Sequence, residues 1–296
     1  MKWRSKRSSG NVEDRRGQSG RGSGGLNPML IGTLIRFLFS KTGLIIAGIL
    51  LVVSFATGTN PLSFIGNLLG GDSTTQNVTP YQGTAKENEL AEFSDQVLAS
   101  TEDVWNKILS DYREPTLVLF TQSVSSACGS ASSATGPFYC PADEKLYIDL
   151  SFFQEMEDKL NAPGDFAQAY VIAHEVGHHI QKITGISDKV QRLRGRVSQT
   201  EYNKYSVRLE LQADFLAGVW AHHSKNMNMI LETGDLQEAL NAAFAIGDDR
   251  LQKQASGRVV PDSFTHGTSE QRMRWFQKGF DTGDIHQGDT FNTNSL

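Results

Sequence analysis

The chain has 296 residues, of which 39% are hydrophobic and 21% are charged, and its formal net charge is −5. This length and composition are typical of a globular protein with one substantial domain and further segments, not of a fibrous or wholly disordered chain. The charge is unevenly distributed, because residues 1–41 carry nine Lys or Arg against two acidic residues, a net +7, which leaves −12 for the remainder. Such an asymmetry indicates that the two ends lie in different surroundings.

The first segments predict a membrane anchor. Residues 1–28, rich in Arg, Ser and Gly, predict a disordered basic arm. No charged residue occurs at 42–71, and the apolar part at about 42–58 is just long enough to cross a bilayer. We therefore predict one transmembrane helix at about 42–58, within an anchor region over 29–58. Excess Lys and Arg stay in the cytoplasm. We accordingly predict a single-pass protein of a bacterial inner membrane, with its N-terminus cytoplasmic and its acidic part periplasmic.

Two other interpretations of the apolar segment compete with the anchor, and the basic arm has a second possible use. A cleaved signal peptide would have a shorter basic region than the roughly forty residues found here. A buried core helix would not usually lack a polar face over four turns. Nucleic-acid binding could use the basic arm, but a topology signal explains its charge more simply, so no nucleic-acid partner is expected.

The rest of the chain predicts a linker and one soluble domain. Residues 59–82, rich in Gly, Asn, Ser and Thr, are typical of a linker, and residues 83–296 form the domain. Apolar spacing predicts a helix, or a broken pair of helices, at about 86–112 and strands at 116–120 and 145–150. The loop between these strands contains Cys128 and Cys140, the two cysteines of the chain. Their spacing favours a disulfide over a zinc site, although in the cytoplasm they would be free thiols.

A predicted helix at about 164–184 contains the sequence His174-Glu175-Val176-Gly177-His178. Residues four apart share one helix face, so His174 and His178 can offer two imidazoles to one metal ion, with Glu175 beside them. A polar, solvated helix face is the alternative. The apolar residues on both sides of the motif argue against it, because buried histidines need a compensating partner.

A second predicted helix, at about 199–223, carries Glu210 and Asp214, again four residues apart. Catalytic zinc is commonly held by two histidines and a glutamate, so Glu210 is the expected third ligand. Asp214 is then placed to bind the other ring nitrogen of a ligand histidine. An acidic solvated face is the alternative. Gln181 and Thr184 stand where a metzincin would have Gly and His, which excludes that class.

These two motifs resemble the HExxH and ExxxD arrangement of the gluzincins, and the chain is similar to the bacterial neutral zinc metallopeptidase family. The resemblance implies an α+β fold, a mainly helical zincin-like metalloprotease domain with a small sheet, here preceded by one transmembrane helix. It also implies one catalytic zinc ion. The segment from Thr265 to Arg272 is similar to a late segment of membrane zinc peptidases, except that Gly267 replaces a proline. His266 would stabilise an oxyanion there, and Arg272 would pair with Asp214 or another buried acid, whereas a polar helix cap is the alternative.

The predicted function is that of a membrane-anchored zinc endopeptidase that hydrolyses peptide bonds in a protein or peptide substrate. Zinc would activate a water molecule, and Glu175 would act as the general base. One alternative is a non-catalytic, membrane-tethered binding or chaperone module that retains zinc. Another is a zinc amidase that acts on cell-wall peptides.

Overall fold

The described part of the chain is mostly helical, with two small sheets. The computed structural model describes residues 1–4, 6–18, 81–225, 227 and 231–296. Apart from Tyr81 and Gln82, these residues belong to one unit, formed by Met1–Gly20 and Gly83–Leu296. Its helices are α1 (Ala85–Ile108), α2 (Ser151–Asp158), α3 (Asp165–Ile183), α4 (Ile186–Gln191), α5 (Gln199–Ser224), α6 (Asp235–Ala245), α7 (Asp248–Ser256) and α8 (Ser269–Thr282). Its strands are β1 (Val12–Asp14), β2 (Thr116–Phe120), β3 (Ser123–Ser126), β4 (Gly129–Ser132), β5 (Phe138–Cys140) and β6 (Lys145–Asp149).

Helix α1 begins at a capping box. The hydroxyl of Thr84 accepts a hydrogen bond from the backbone N–H of Glu87 at 3.2 Å, and the Glu87 carboxylate accepts one from the Thr84 N–H at 2.7 Å. Two N–H groups at the helix start are satisfied in this way. The predicted helix at 86–112 therefore begins as expected and ends four residues early, at Ile108.

The larger sheet has the strand order β1-β2-β6-β5. Strands β1 and β6 run parallel to β2, whereas β5 runs antiparallel to β6. Leu117 and Leu119 on β2 belong to the main apolar core, and Val118 and Phe120 belong to a smaller cluster on the other face. Both faces of this strand are therefore covered, which explains its continuous apolar sequence. Strand β5 forms one edge of the sheet and β1 forms the other.

Residues 1–18 form part of the domain, which differs from the disordered arm predicted over 1–28. Met1 and Trp3 are buried in the main core, and β1 pairs with β2. The positive charges that suggested disorder are compensated by acidic partners, as in the contact of Arg7 with Glu102 at 2.7 Å. Charge composition missed this packing because the acids that tie the segment to the domain, such as Glu102, lie far along the chain. Residues 19–28 lie outside the described residues.

Helices α3 and α5 cross in close contact at Gly177. A Cβ atom added at Gly177 would lie 2.9 Å from the carbonyl oxygen of Ala213 and 3.0 Å from its Cα. Real Cβ atoms rarely come this close to a backbone, so only glycine fits without a shift of one helix. Because Gly177 lies between His174 and His178, this contact brings both histidines against α5.

The membrane part of the predicted fold class is corrected. The predicted transmembrane helix at 42–58 falls outside the described residues, and within the described ranges no helix has the length and apolar character needed to cross a membrane. The fold class is therefore a mostly helical domain with small sheets. Two further predictions depended on that helix, the single-pass inner-membrane location and the lipid bilayer as a partner. Both are corrected together with it.

Candidate metal centre

Three side chains from two helices converge on one point. His174 and His178 extend from α3, Glu210 extends from α5, and one ligand atom of each lies within 4.8 Å of the others. His174 Nε2 is 3.2 Å from Glu210 Oε2, and His178 Nε2 is 3.4 Å from Glu210 Oε1. The carboxylate thus faces the same nitrogen, Nε2, of both rings.

The other nitrogen of His174 is held by Asp214. The distance from His174 Nδ1 to Asp214 Oδ1 is 2.8 Å. The same carboxylate accepts hydrogen bonds from Arg272 Nε at 2.8 Å, from Arg272 Nη2 at 2.9 Å and from the Tyr170 hydroxyl at 2.6 Å. Because an ionised carboxylate only accepts hydrogen bonds, His174 Nδ1 carries a proton and Nε2 is left for a metal ion.

The other nitrogen of His178 is held by an amide. His178 Nδ1 lies 2.9 Å from Gln181 Oε1, so its proton is bound by a neutral partner instead of a carboxylate. Sequence reasoning used Gln181 only to exclude the metzincins and did not assign a role to Tyr170. Tyr170 lies four residues before His174, so the same helix-face rule could have found it.

Charge in the centre is balanced by ion pairing. Burial alone would lower the pKa of His174, but Asp214 and Glu210 outweigh it and raise this pKa to about 9. The pKa of His178 is also raised, mainly by Glu210 acting against burial. Burial would raise the pKa of Asp214, yet Arg272 and His174 hold it at about 2. Burial would also raise the pKa of Glu210, but His178 and His174 hold it well below its usual range. Both carboxylates are therefore ionised near neutral pH, and a metal ion would have to displace a proton from His174 there.

This donor set fits a catalytic zinc ion. Two imidazoles and one carboxylate form one of the common three-ligand sets that leave a position open for water or substrate. Both histidines have their Nδ1 atoms engaged elsewhere and present Nε2 towards Glu210. The residues present therefore satisfy the chemistry that zinc requires.

The three side chains line a cleft of about 910 Å³, which Glu175 and His266 also line. Glu175 is buried, and its carboxylate forms no hydrogen bond within the part of the chain that the structure describes. The His266 side chain is half exposed, and its Nδ1 lies 3.1 Å from Asp248 Oδ1. The bond with Asp248 raises the pKa of His266, although burial acts in the opposite direction.

Asp248, which sequence reasoning did not single out, shapes the loop that carries His266. Its Oδ2 atom accepts hydrogen bonds from the backbone N–H groups of Thr265, His266 and Gly267, at 2.7, 2.6 and 3.1 Å. One carboxylate at the start of α7 therefore fixes three consecutive residues of the loop. The pairing of an acid with a histidine eighteen residues away leaves no local signal in the sequence.

One wall of the cleft includes Phe138 and Tyr139 of strand β5, together with Cys128. Cys128 and Cys140 are joined by a disulfide, which ties β5 to the loop after β3. His179, the residue after His178, is buried, and its Nδ1 lies 3.0 Å from the Tyr139 hydroxyl. The zinc motif is thus connected directly to the edge strand.

The chain matches, over residues 1–291, the family described as "Putative neutral zinc metallopeptidase". It is 50% identical over 295 residues to the uncharacterized protein YpfJ of Escherichia coli K12, a match that covers 98% of this chain and 99% of that protein. It is 41% identical over 208 residues to the uncharacterized protein Rv2575 of Mycobacterium tuberculosis, which covers 67% of this chain and 69% of that one. No solved structure matches the chain. The family expected from the two motifs is confirmed: the chain belongs to the neutral zinc metallopeptidase family, whose cofactor is one zinc ion.

Proposed function

We propose that this protein is a zinc-dependent endopeptidase whose metal ligands are His174, His178 and Glu210. The observation that carries the proposal is the convergence of their ligand atoms within 4.8 Å, with both Nδ1 atoms engaged by Asp214 and Gln181. Zinc, when bound, lowers the pKa of a coordinated water molecule and polarises a carbonyl group. Peptide-bond hydrolysis is the reaction that the description of the family as a metallopeptidase supports.

Glu175 is the proposed general base. It directly follows His174 on α3 and lines the same cleft, so its carboxylate lies beside the proposed ligands. No hydrogen bond to another described residue occupies this carboxylate, which leaves it available to a water molecule. In the proposed reaction Glu175 accepts a proton from the attacking water and delivers it to the nitrogen of the leaving amine.

His266 is the proposed oxyanion donor. Asp248 holds its Nδ1 atom, while about half of its side chain is exposed at the cleft. The pKa of His266 is raised, so its protonated form, with N–H groups on both ring nitrogens, extends towards neutral pH. We propose that the free N–H group donates to the carbonyl oxygen as that oxygen gains negative charge.

An extended peptide is the proposed substrate. Strand β5 is at the edge of its sheet, and its residues Phe138 and Tyr139 line the cleft. Edge strands bind extended chains through backbone hydrogen bonds, and such binding suits a peptide more than a small amide. The open cleft of about 910 Å³ leaves room for residues on both sides of the scissile bond.

The deciding experiment compares the purified full-length protein with its Glu175→Gln variant. Each is incubated with unfolded casein and with peptidoglycan fragments, with and without a zinc chelator. We expect the wild type to cleave casein and to lose this activity with chelator. The Glu175→Gln variant should bind zinc but cleave nothing, because the amide cannot accept the proton. An active Glu175→Gln variant would exclude this base, and cleavage of peptidoglycan alone would favour the amidase alternative.

A further inference from the structure

We propose that Gln181 is a positioning residue that orients His178 and couples the two helices that carry the metal ligands. This inference rests on the ligand set of the proposed function. Gln181 lies one turn after His178 on α3 and is fully buried. Its amide contacts three groups: His178 Nδ1 at 2.9 Å, the carbonyl oxygen of Leu209 at 2.7 Å and Gln212 Oε1 at 3.1 Å.

The direction of each hydrogen bond follows from the Leu209 carbonyl. A backbone carbonyl oxygen only accepts hydrogen bonds, so the atom of Gln181 that faces it is the donor Nε2. The other amide atom, Oε1, is an acceptor and faces His178 Nδ1. His178 must therefore carry its proton on Nδ1, which leaves the Nε2 lone pair for zinc.

The hydrogen bonds of Gln212 require the same orientation of the Gln181 amide. Gln212 Nε2 donates to the carbonyl oxygen of Gly288 at 2.9 Å, so its Oε1 is the atom that faces Gln181. An acceptor at that position again requires a donor on Gln181. Two independent backbone carbonyls, at Leu209 and Gly288, thus determine which way the Gln181 amide points.

The same side chain connects both ligand-bearing helices. Gln181 contacts the ligand His178 on α3, and it contacts the carbonyl group of Leu209, the residue directly before the ligand Glu210 on α5. His178 Nε2 and Glu210 Oε1 are 3.4 Å apart, so a small shift between the helices changes the distance between two ligands. Asp214 accepts the hydrogen bond of His174 Nδ1, whereas the partner of His178 Nδ1 among the described residues is the amide oxygen of Gln181. The orientation of His178 therefore depends on Gln181.

Two variants separate the orienting role from simple packing. In Gln181→Met the new side chain has a similar length but does not replace the hydrogen bonds of the amide. We expect zinc affinity to fall by about 10–100-fold, the usual effect of losing the hydrogen-bond partner of a ligand histidine. Gln181→Glu keeps an acceptor for His178 but cannot donate to Leu209. We expect it to unfold at a lower temperature than the wild type, while its zinc affinity stays closer to the wild type than to Gln181→Met.

Zinc affinity is measured on the full chain by competition with a chelator, and the Nδ1 proton of His178 is followed by NMR in the zinc-loaded protein. This proton should exchange slowly with water in the wild type and in Gln181→Glu, and rapidly in Gln181→Met. Asn203→Leu is the matched control, because Asn203 is a buried amide on α5 that donates to the carbonyl of Asp262 at 2.9 Å. It should lower thermal stability without changing zinc affinity.

The results separate this inference from the proposed function. If Gln181→Met lowers thermal stability as Asn203→Leu does, yet keeps wild-type zinc affinity and slow exchange at His178, Gln181 only packs and the inference is overturned. A wild type that binds zinc but cleaves no peptide contradicts the proposed function. In that case, a loss of zinc affinity in Gln181→Met still supports the orienting role.

Discussion

Arg272 and Asp214 form a bidentate ion pair inside the domain. Arg272 Nε donates to Oδ2 at 2.8 Å and Nη2 donates to Oδ1 at 2.9 Å, and the two side chains are 2% and 0% exposed. Asp214 Oδ1 is also the atom nearest His174 Nδ1. A residue of α8 thus controls, through a carboxylate of α5, the orientation of a proposed metal ligand on α3.

Removal of this arginine should destabilise the protein strongly. In Arg272→Met the Asp214 carboxylate stays buried without its cation, and breaking a buried pair in this way costs about 3–5 kcal/mol. We expect a correspondingly lower midpoint of thermal unfolding. Arg274→Met on the same helix is the control, because Arg274 is exposed and should change stability little. Equal midpoints for the two variants would contradict the structural importance of the pair.

Zinc affinity should depend steeply on pH. In the metal-free protein the pKa of His174 is raised to about 9, so zinc must displace a proton from this ring at neutral pH, and the raised pKa of His178 acts in the same direction. Zinc affinity should therefore fall as pH decreases from about 8 to about 6. Calorimetric titrations in buffers with different ionisation enthalpies measure the protons released. Zinc binding without proton release at neutral pH would contradict the ligand assignment.

Stability of the metal-free protein should show the opposite trend. The folded-state pKa of His174 exceeds its ordinary value of 6.5. The ion contacts of His174 therefore contribute their full stabilising free energy to the folded state below about pH 6.5, and this contribution is lost as pH rises through about 9. Thermal unfolding of chelator-treated protein should therefore move to lower temperature across this window. His174→Gln, which cannot titrate, should lose this part of the pH dependence. An unchanged pH profile in this variant would show that other groups cause it.

Gly177→Ala should separate the ligand helices. The new Cβ would lie about 3 Å from the backbone of Ala213, and such overpacking typically costs about 1–3 kcal/mol. We expect lower stability and weaker zinc binding, because the displaced helices carry His178 and Glu210. Gly10→Ala is the matched control, since a Cβ there meets nothing within 4 Å. Wild-type zinc affinity in Gly177→Ala would show that the helices adjust without disturbing the ligands.

Loss of the disulfide should affect the cleft wall but not the metal. Cys128 and Cys140 close a loop with a sequence separation of 12, and removing such a crosslink costs about 3 kcal/mol in the chain-entropy account. In Cys128→Ala/Cys140→Ala we expect a lower unfolding temperature and a higher KM for peptide, with unchanged zinc affinity. The wild type measured with and without reductant provides the control. Identical unfolding under both conditions would contradict a stabilising role.

Local periodicity predicted the helices and the side chains that share a face. The predicted helices at 164–184 and 199–223 correspond to α3 and α5, and the strand at 116–120 corresponds to β2. Spacing by four residues indicated His174 with His178, and Glu210 with Asp214, because such pairs lie on one side of a helix. Charge and hydropathy were less reliable. They predicted a disordered arm where residues 1–18 pack into the domain, since they do not record which distant groups compensate a charge.

The amino-acid sequence by itself determined the family, the donor types and the pairs of residues that project from one helix face, since these depend on chemistry and on the helical repeat. Only the tertiary structure decided which helix faces meet. The contact of Gly177 with Ala213 brings the His174–His178 pair and the Glu210–Asp214 pair together, and it allows Gln181 to bind both His178 and the carbonyl of Leu209. Such contacts join residues far apart in the chain and depend on shape and hydrogen-bond direction, which periodicity does not encode.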